Sequence, residues 1–204
     1  MGIIIPSNEI IESLRDNPDA RYAAKHAVES NIILQGIAQC DIFRKGELIS
    51  GGYPELPNTF TTQGMAYLLN VIFFTSSKAA SLIWYVGLYK NNVTPAVGNT
   101  AAVHLGAAGT YGECQDADYD DPATSKPSYT TATTALATIT NSVAGKAEYV
   151  FKQTITVHGA FLSTVAAKTA TTGTLMCAKK FSSSRDVVDD DEAAITYTIS
   201  LTTS

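Results

Sequence analysis

Near the C-terminus, Ile195, Tyr197, Ile199 and Leu201 alternate with Thr196, Thr198 and Ser200 through the stretch Ala194 to Leu201. Successive side chains of a strand point to opposite faces, so this period-two pattern fits a strand with one face on a core, and no amphipathic helix can satisfy it. The same reading applies upstream. Tyr149, Phe151, Ile155 and Val157 share one face opposite Glu148, Lys152, Thr154 and Thr156, and His158 ends that run before Gly159. A further strand is expected through Ala160-Phe161-Leu162, and another from Thr174 to Phe181. Fourteen threonines fall between Thr124 and Thr174, and β-branched polar residues suit exposed sheet faces better than helices. Short alternating strands separated by Gly- and Ser-rich turns predict a mainly β chain, an antiparallel β-sandwich or jelly-roll-like domain.

The strand pattern begins at Asn31, where Ile32, Leu34, Ala38, Cys40 and Ile42 alternate with Ile33, Gln35, Ile37, Gln39 and Asp41. Lys45-Gly46-Glu47 reads as a hairpin turn before Leu48-Ile49, and Gly51-Gly52-Tyr53-Pro54 breaks the strand. One interior helix is expected, capped by Thr61 or Thr62, with Met65, Leu68, Leu69, Ile72 and Phe73 forming a stripe toward the core. Leu82 to Tyr89 is apolar on both faces and predicts a central strand, with Trp84 in the core opposite the face shared by Tyr85 and Tyr89. Residues 91 to 146 are rich in Gly and Pro and predict short strands at most. Residues 1–30 differ: Ser7 and Asn17-Pro18 are helix-start signals, and Ala20, Ala23, Ala24, Ala27 and Val28 make a narrow stripe of mostly small residues. The expected organisation is therefore a helical N-terminal arm over 1–30, which docks on a neighbour, and a β-sandwich domain with one packed helix over 31–204.

Charge and motifs restrict function. Only 16% of the residues are charged, and the net charge is −5. Without a basic stripe, direct nucleic-acid binding is not expected, because such binding relies on neutralising phosphates. Neither a signal peptide nor a membrane-spanning segment is read from the sequence, so synthesis in the cytoplasm is expected. Cys40, Cys114 and Cys177 are widely spaced and odd in number, which predicts free thiols, with Cys40 and Cys177 as small core residues and Cys114 in a polar loop. Of the three histidines, His26, His104 and His158, none sits in a catalytic motif, and ordinary structural roles are expected.

Two acidic runs are the candidate ion sites. Asp116, Asp118, Asp120 and Asp121 begin like a calcium loop, but Asp121 stands where a Gly is required and Pro127 where the closing Glu is required. Asp189, Asp190, Asp191 and Glu192 precede the last strand and read as a solvated turn that discourages edge pairing. No catalytic, cofactor or metal residue is assigned.

Four ordered segments carry a resemblance. They are Asn58 to Asn70 with its Thr61-Thr62-Gln63-Gly64 start, Trp84-Tyr85-Val86-Gly87-Leu88, Thr171-Thr172-Gly173-Thr174-Leu175, and Asp189-Asp190-Asp191 before Ile195-Thr196-Tyr197-Thr198. The chain over about 36 to 204 resembles a family of small structural proteins of tailed phages. Where that family often has a Ser-His-x-Gly-Trp stretch, this chain has His104-Leu105-Gly106 and no Trp. The resemblance implies a virion component without enzymatic activity, specifically a capsid cement or decoration protein on the capsid surface. Its expected partner is the major capsid protein, and it is expected to be a homo-oligomer there. The alternative is a tail-fibre or receptor-binding module that uses the 91 to 146 loops. A cation-dependent enzyme built on the aspartates lacks a paired base or nucleophile.

Overall fold

The computed structural model describes residues 32–55, 57–73, 84–132, 134–141 and 145–203. The expected arm over 1–30 lies outside the described residues, as does the Leu82-Ile83 start of the expected central strand. Gln35–Ser200 forms one compact unit, and the strands at its two ends run a few residues past its limits.

Among the described residues, ten strands build two antiparallel sheets. In chain order they are β1 (Ile32–Arg44), β2 (Glu47–Ser50), β3 (Thr59–Phe60), β4 (Tyr85–Tyr89), β5 (Tyr119–Asp121), β6 (Thr138–Thr140), β7 (Ala147–Phe151), β8 (Ile155–Ser163), β9 (Leu175–Val187) and β10 (Glu192–Thr203). One sheet has the order β2-β1-β10-β7-β5, with β6 also pairing β10, and the other has the order β3-β9-β8-β4. Helix α1 (Thr62–Phe73) lies between β3 and β4 in sequence, and the short α2 (Ala101–His104) follows β4. This is the β-sandwich-like domain the alternation predicts.

The alternation of β10 works only over part of its length. Ala193, Ile195 and Tyr197 are buried, whereas Ile199 is half-exposed and Leu201 is 48% exposed. Past Tyr197 the partner is β6, itself only half-buried, so the strand runs off the core before its pattern ends. A similar displacement affects the middle of the chain. The strand break falls at Lys152–Thr154, and β8 continues through His158 and Gly159, although its register with β9 shifts at His158, the expected place of the break.

Glycine decides how β4 meets β8. Their register pairs Gly87 with Phe161 and Tyr89 with Gly159, two reciprocal glycine–aromatic pairs. A Cβ on Gly87 would fall inside the Phe161 ring, and one on Gly159 would fall on Tyr89. Each glycine thus gives up side-chain contacts so that the opposite ring can lie over its backbone, the pairing known to rescue glycine in strands. Tyrosines then tie the sheets together. Tyr149 on β7 donates its hydroxyl to the Val86 carbonyl at 2.8 Å, and Tyr197 on β10 donates to the Ala160 carbonyl at 3.2 Å.

β4 is the last strand of its sheet rather than a central one. Loops cover its outer edge: Val86 N–H donates to Pro127 O and Lys90 N–H to Gly112 O, and Leu88 O accepts from Cys114 N–H, each at 2.9 Å. A sheet edge closed by coil explains why Val86, Leu88 and Tyr89 are buried on both faces of a terminal strand. Trp84 stands just before the strand, half-buried, with its ring edge-on to Tyr67 of α1 at 5.6 Å. It is not the core residue the periodicity predicts.

α1 forms where its cap and stripe predict, but it docks through a different face. Thr61 Oγ1 accepts from Gly64 N–H at 2.9 Å, as an N-cap does, and donates to the Leu175 carbonyl. A Cβ on Gly64 would meet the Met176 backbone, so the helix N-terminus lies directly against β9. Consequently Leu69 and Ile72, expected in the core, are 56% and 50% exposed. Gly64 sets the closest approach, and Met65, Tyr67 and Leu68 are half-buried.

Gly87→Ala is expected to lower stability by about 1–3 kcal/mol through overpacking against Phe161. Gly98→Ala, where a Cβ meets nothing, should stay within roughly 0.5 kcal/mol of the parent. Urea unfolding of both variants checks this; equal midpoints would show that the β4–β8 contact has slack.

Candidate functional site

The segment 91 to 146 has no long periodicity, yet it contains a buried ionic lock. Glu113 and Lys126 are both buried and pair at 2.9 Å. Both carboxylate oxygens are used: Glu113 Oε1 also accepts from Thr169 N–H at 3.0 Å, and Oε2 accepts from Gly106 N–H at 2.9 Å. Lys126 Nζ donates to the Ala167 carbonyl at 2.7 Å as well. Burial pulls the Lys126 pKa down, and the charge and hydrogen bond of Glu113 oppose that shift. Thr169, a β-branched residue at φ 60°, is held in the left-handed region by the carboxylate that accepts its N–H.

A second lock lies beside it. Asp118 is buried and accepts from Lys90 Nζ at 2.8 and 3.0 Å, from Gln115 N–H at 2.8 Å and from Gln153 Nε2 at 2.8 Å. Lys168 Nζ donates to the carbonyls of Tyr119 and Ala123 and lies 3.8 Å from the centroid of the Tyr119 ring. The run Asp116, Asp118, Asp120 and Asp121 is therefore split, because Asp118 turns inward to a lysine while the other three are exposed.

The second acidic run is split too. Asp189 and Asp190 are exposed, but Asp191 is buried and accepts Nε and Nη2 of Arg44 at 2.7 Å each. The Arg44 guanidinium holds the Asp191 carboxyl below its ordinary range, and the Val188 N–H adds to the effect. The solvated-turn reading therefore fails at Asp191. Another buried pair, Arg185 with Glu55 at 3.0 Å, fixes β9 to the segment before β3. Among the described residues, no three His, Cys, Asp or Glu side chains converge as a metal site would require.

Cys40, Cys114 and Cys177 are free and buried, and burial pushes the thiols of Cys40 and Cys177 up to about 12. Cys114, expected in an exposed loop, is buried because its backbone pairs with β4. His104 belongs to a local network on α2: Asn99 Oδ1 accepts from Ala96 N–H and from the Tyr111 hydroxyl, which turns Asn99 Nδ2 to the His104 ring at 2.7 Å. His158 lies within β8, and His26 is outside the described residues.

One open cleft of about 900 Å³ stands out. Its floor is the outward face of β7 and β10, where the register pairs Val150 with Glu192 and Glu148 with Ala194. β5 adds Asp121, paired with Val150 on the other side. The wall is the 121–130 segment, which the Glu113–Lys126 lock anchors, and Phe43 and Lys146 complete the lining. Sequence reasoning missed this cleft because its residues come from five separate segments, Tyr85 of β4 among them, and only the tertiary pairing brings them together.

No family model, curated protein or solved structure matches the chain.

Lys126→Met leaves Glu113 buried without its cation and is expected to cost about 3–5 kcal/mol. The double variant Glu113→Gln, Lys126→Met should recover part of that loss. Urea unfolding measures both; a single variant as stable as the parent would show that the lock is dispensable.

Proposed function

We propose that the protein is a non-enzymatic structural component of a tailed-phage particle, a capsid cement or decoration protein. It works on the capsid surface through contacts with the major capsid protein and as a homo-oligomer. The observation that carries this reading is that the motifs behind the phage resemblance act here as packing devices. Gln63 Oε1 accepts from Leu175 N–H and Nε2 donates to Gly173 O, so the Thr61–Gly64 motif and the Thr171–Leu175 motif meet in one junction. Gly87 of the Trp84–Leu88 motif admits the Phe161 ring, and Asp191 of the acidic motif anchors Arg44. Residues used this way specify a fold, which supports a role through surface contacts.

The surface supports the same reading. Leu48, Ile49 and Tyr53 lie exposed on and beside β2, the edge strand of the larger sheet. An edge strand with apolar side chains and few charges favours association with other protein. Repeated over a symmetric shell, modest contacts of this kind add up through avidity.

Quantitative mass spectrometry of purified particles tests the assignment. A copy number comparable with that of the major capsid protein is expected. A count matching a single tail ring or a set of fibres would contradict the cement role and favour the tail alternative, and absence from particles would overturn the virion assignment itself.

A further inference from the structure

We propose that the cleft on the outer face of β7 and β10 is a docking site for a lysine- or arginine-bearing segment of a partner polypeptide. The strand register fixes its chemistry. Asp121, Val150 and Glu192 form one row across β5, β7 and β10, so the backbone positions of the two acidic residues flank an apolar centre about 10 Å apart, two strand spacings. Glu148 and Ala194 form the next pair on that face, which puts Glu148 diagonal to Glu192. Ala194 faces outward yet is only 7% exposed, so the small side chain lies at the bottom of the cleft. Phe43, Pro122 and Val150 extend the apolar lining.

The charges in this cleft are unbalanced. Asp121, Glu148 and Glu192 are exposed and have no ion-pair partner among the described residues. Both lysines in the lining are already engaged, Lys126 with Glu113 at 2.9 Å and Lys146 with Asp41 at 3.6 Å. An apolar floor rimmed by three unpaired carboxylates matches a side chain with an aliphatic stem and a cationic head: the stem covers Val150 and Ala194 while the head reaches the rim. Flanking residues of an extended segment would occupy the rest of the volume, which exceeds what one lysine fills. The sheet behind the floor is fixed by the sandwich core, and the wall is fixed by the Glu113 lock, so the site is held open without a ligand and binding orders little of the protein. This site is independent of the virion reading and holds wherever the protein works.

The test is titration of the full chain with a capped penta-lysine peptide, followed by calorimetry and by amide shifts in NMR at about 50 and 150 mM salt. Shifts centred on Glu148, Val150, Glu192 and Ala194 are expected. Glu148→Lys with Glu192→Lys should weaken binding at least about tenfold, whereas Glu47→Lys with Asp189→Lys, which changes net charge equally away from the cleft, should weaken it less than about twofold. Ala194→Leu, which fills the floor and keeps every charge, should also weaken it, with urea unfolding confirming that the variant is folded. Equal weakening by the two charge-reversed pairs would overturn the proposal, since the attraction would then be that of the whole acidic protein. So would absence of binding, a floor-filling variant that binds like the parent, or displacement of the peptide by millimolar calcium or magnesium, which would make the cleft a cation site.

Discussion

The described structure outside the regular strands depends on the buried pair of Glu113 and Lys126. A charge taken from water costs several kcal/mol unless its partners replace the lost hydration. Here they do: the carboxylate accepts from one lysine and two backbone N–H groups, and the lysine also reaches a carbonyl. Those partners come from Gly106, Lys126, Ala167 and Thr169, on segments that otherwise meet only through isolated backbone bonds such as Lys126 N–H to Ala166 O and Glu113 N–H to Gly106 O. A hydrophobic contact could bring them near one another. A directed, charged group, together with those backbone bonds, fixes them in one arrangement, and with it the cover over the edge of β4 and the wall of the cleft.

The sandwich itself rests on more ordinary terms. Large side chains are fully buried, Tyr149 and Tyr197 between the sheets and Tyr89 and Phe161 in a cluster with Ala101, Leu105 and Tyr111, and apolar burial is the dominant favourable contribution to such a core. Tyrosine brings a hydroxyl that must be satisfied when buried. Tyr149 and Tyr197 resolve this by donating across to carbonyls of the opposite sheet, which turns a requirement into a fixed sheet-to-sheet alignment. The glycine–ring pairs between β4 and β8 then set register, because a slip by one residue would drive Phe161 or Tyr89 into a side chain instead of a bare backbone.

Much of this was legible in the sequence where a single period governs a segment. Ile195 and Tyr197 alternate with threonines and are buried; the hairpin turn expected at Lys45-Gly46-Glu47 forms, with Lys45 and Gly46 at positive φ and Glu47 already in β2. The helix start at Thr61 was legible for the same local reason. What failed involved partners distant in sequence. Leu69 and Ile72 look like core residues until Gly64 is seen against Met176, and Trp84 looks like core until loops, not strands, are found beside β4. Cys114, Asp118 and Asp191 each sit in a polar stretch, and their burial follows from pairings that no local pattern encodes. The cleft was hidden likewise, since Asp121, Glu148 and Glu192 become neighbours only through strand register.

The central physical claim is that the loop-rich region is locked as firmly as the sheets by buried charge. Amide hydrogen exchange on the intact chain tests it most directly, because exchange reports the free energy of local opening residue by residue. The amides of Gly106 and Thr169, which bind the Glu113 carboxylate, and of Cys114, which binds Leu88 O, should exchange as slowly as those of β8 and β9. Exchange at these three positions orders of magnitude faster than in the strands would contradict the account, since the loops would then open independently of the sandwich.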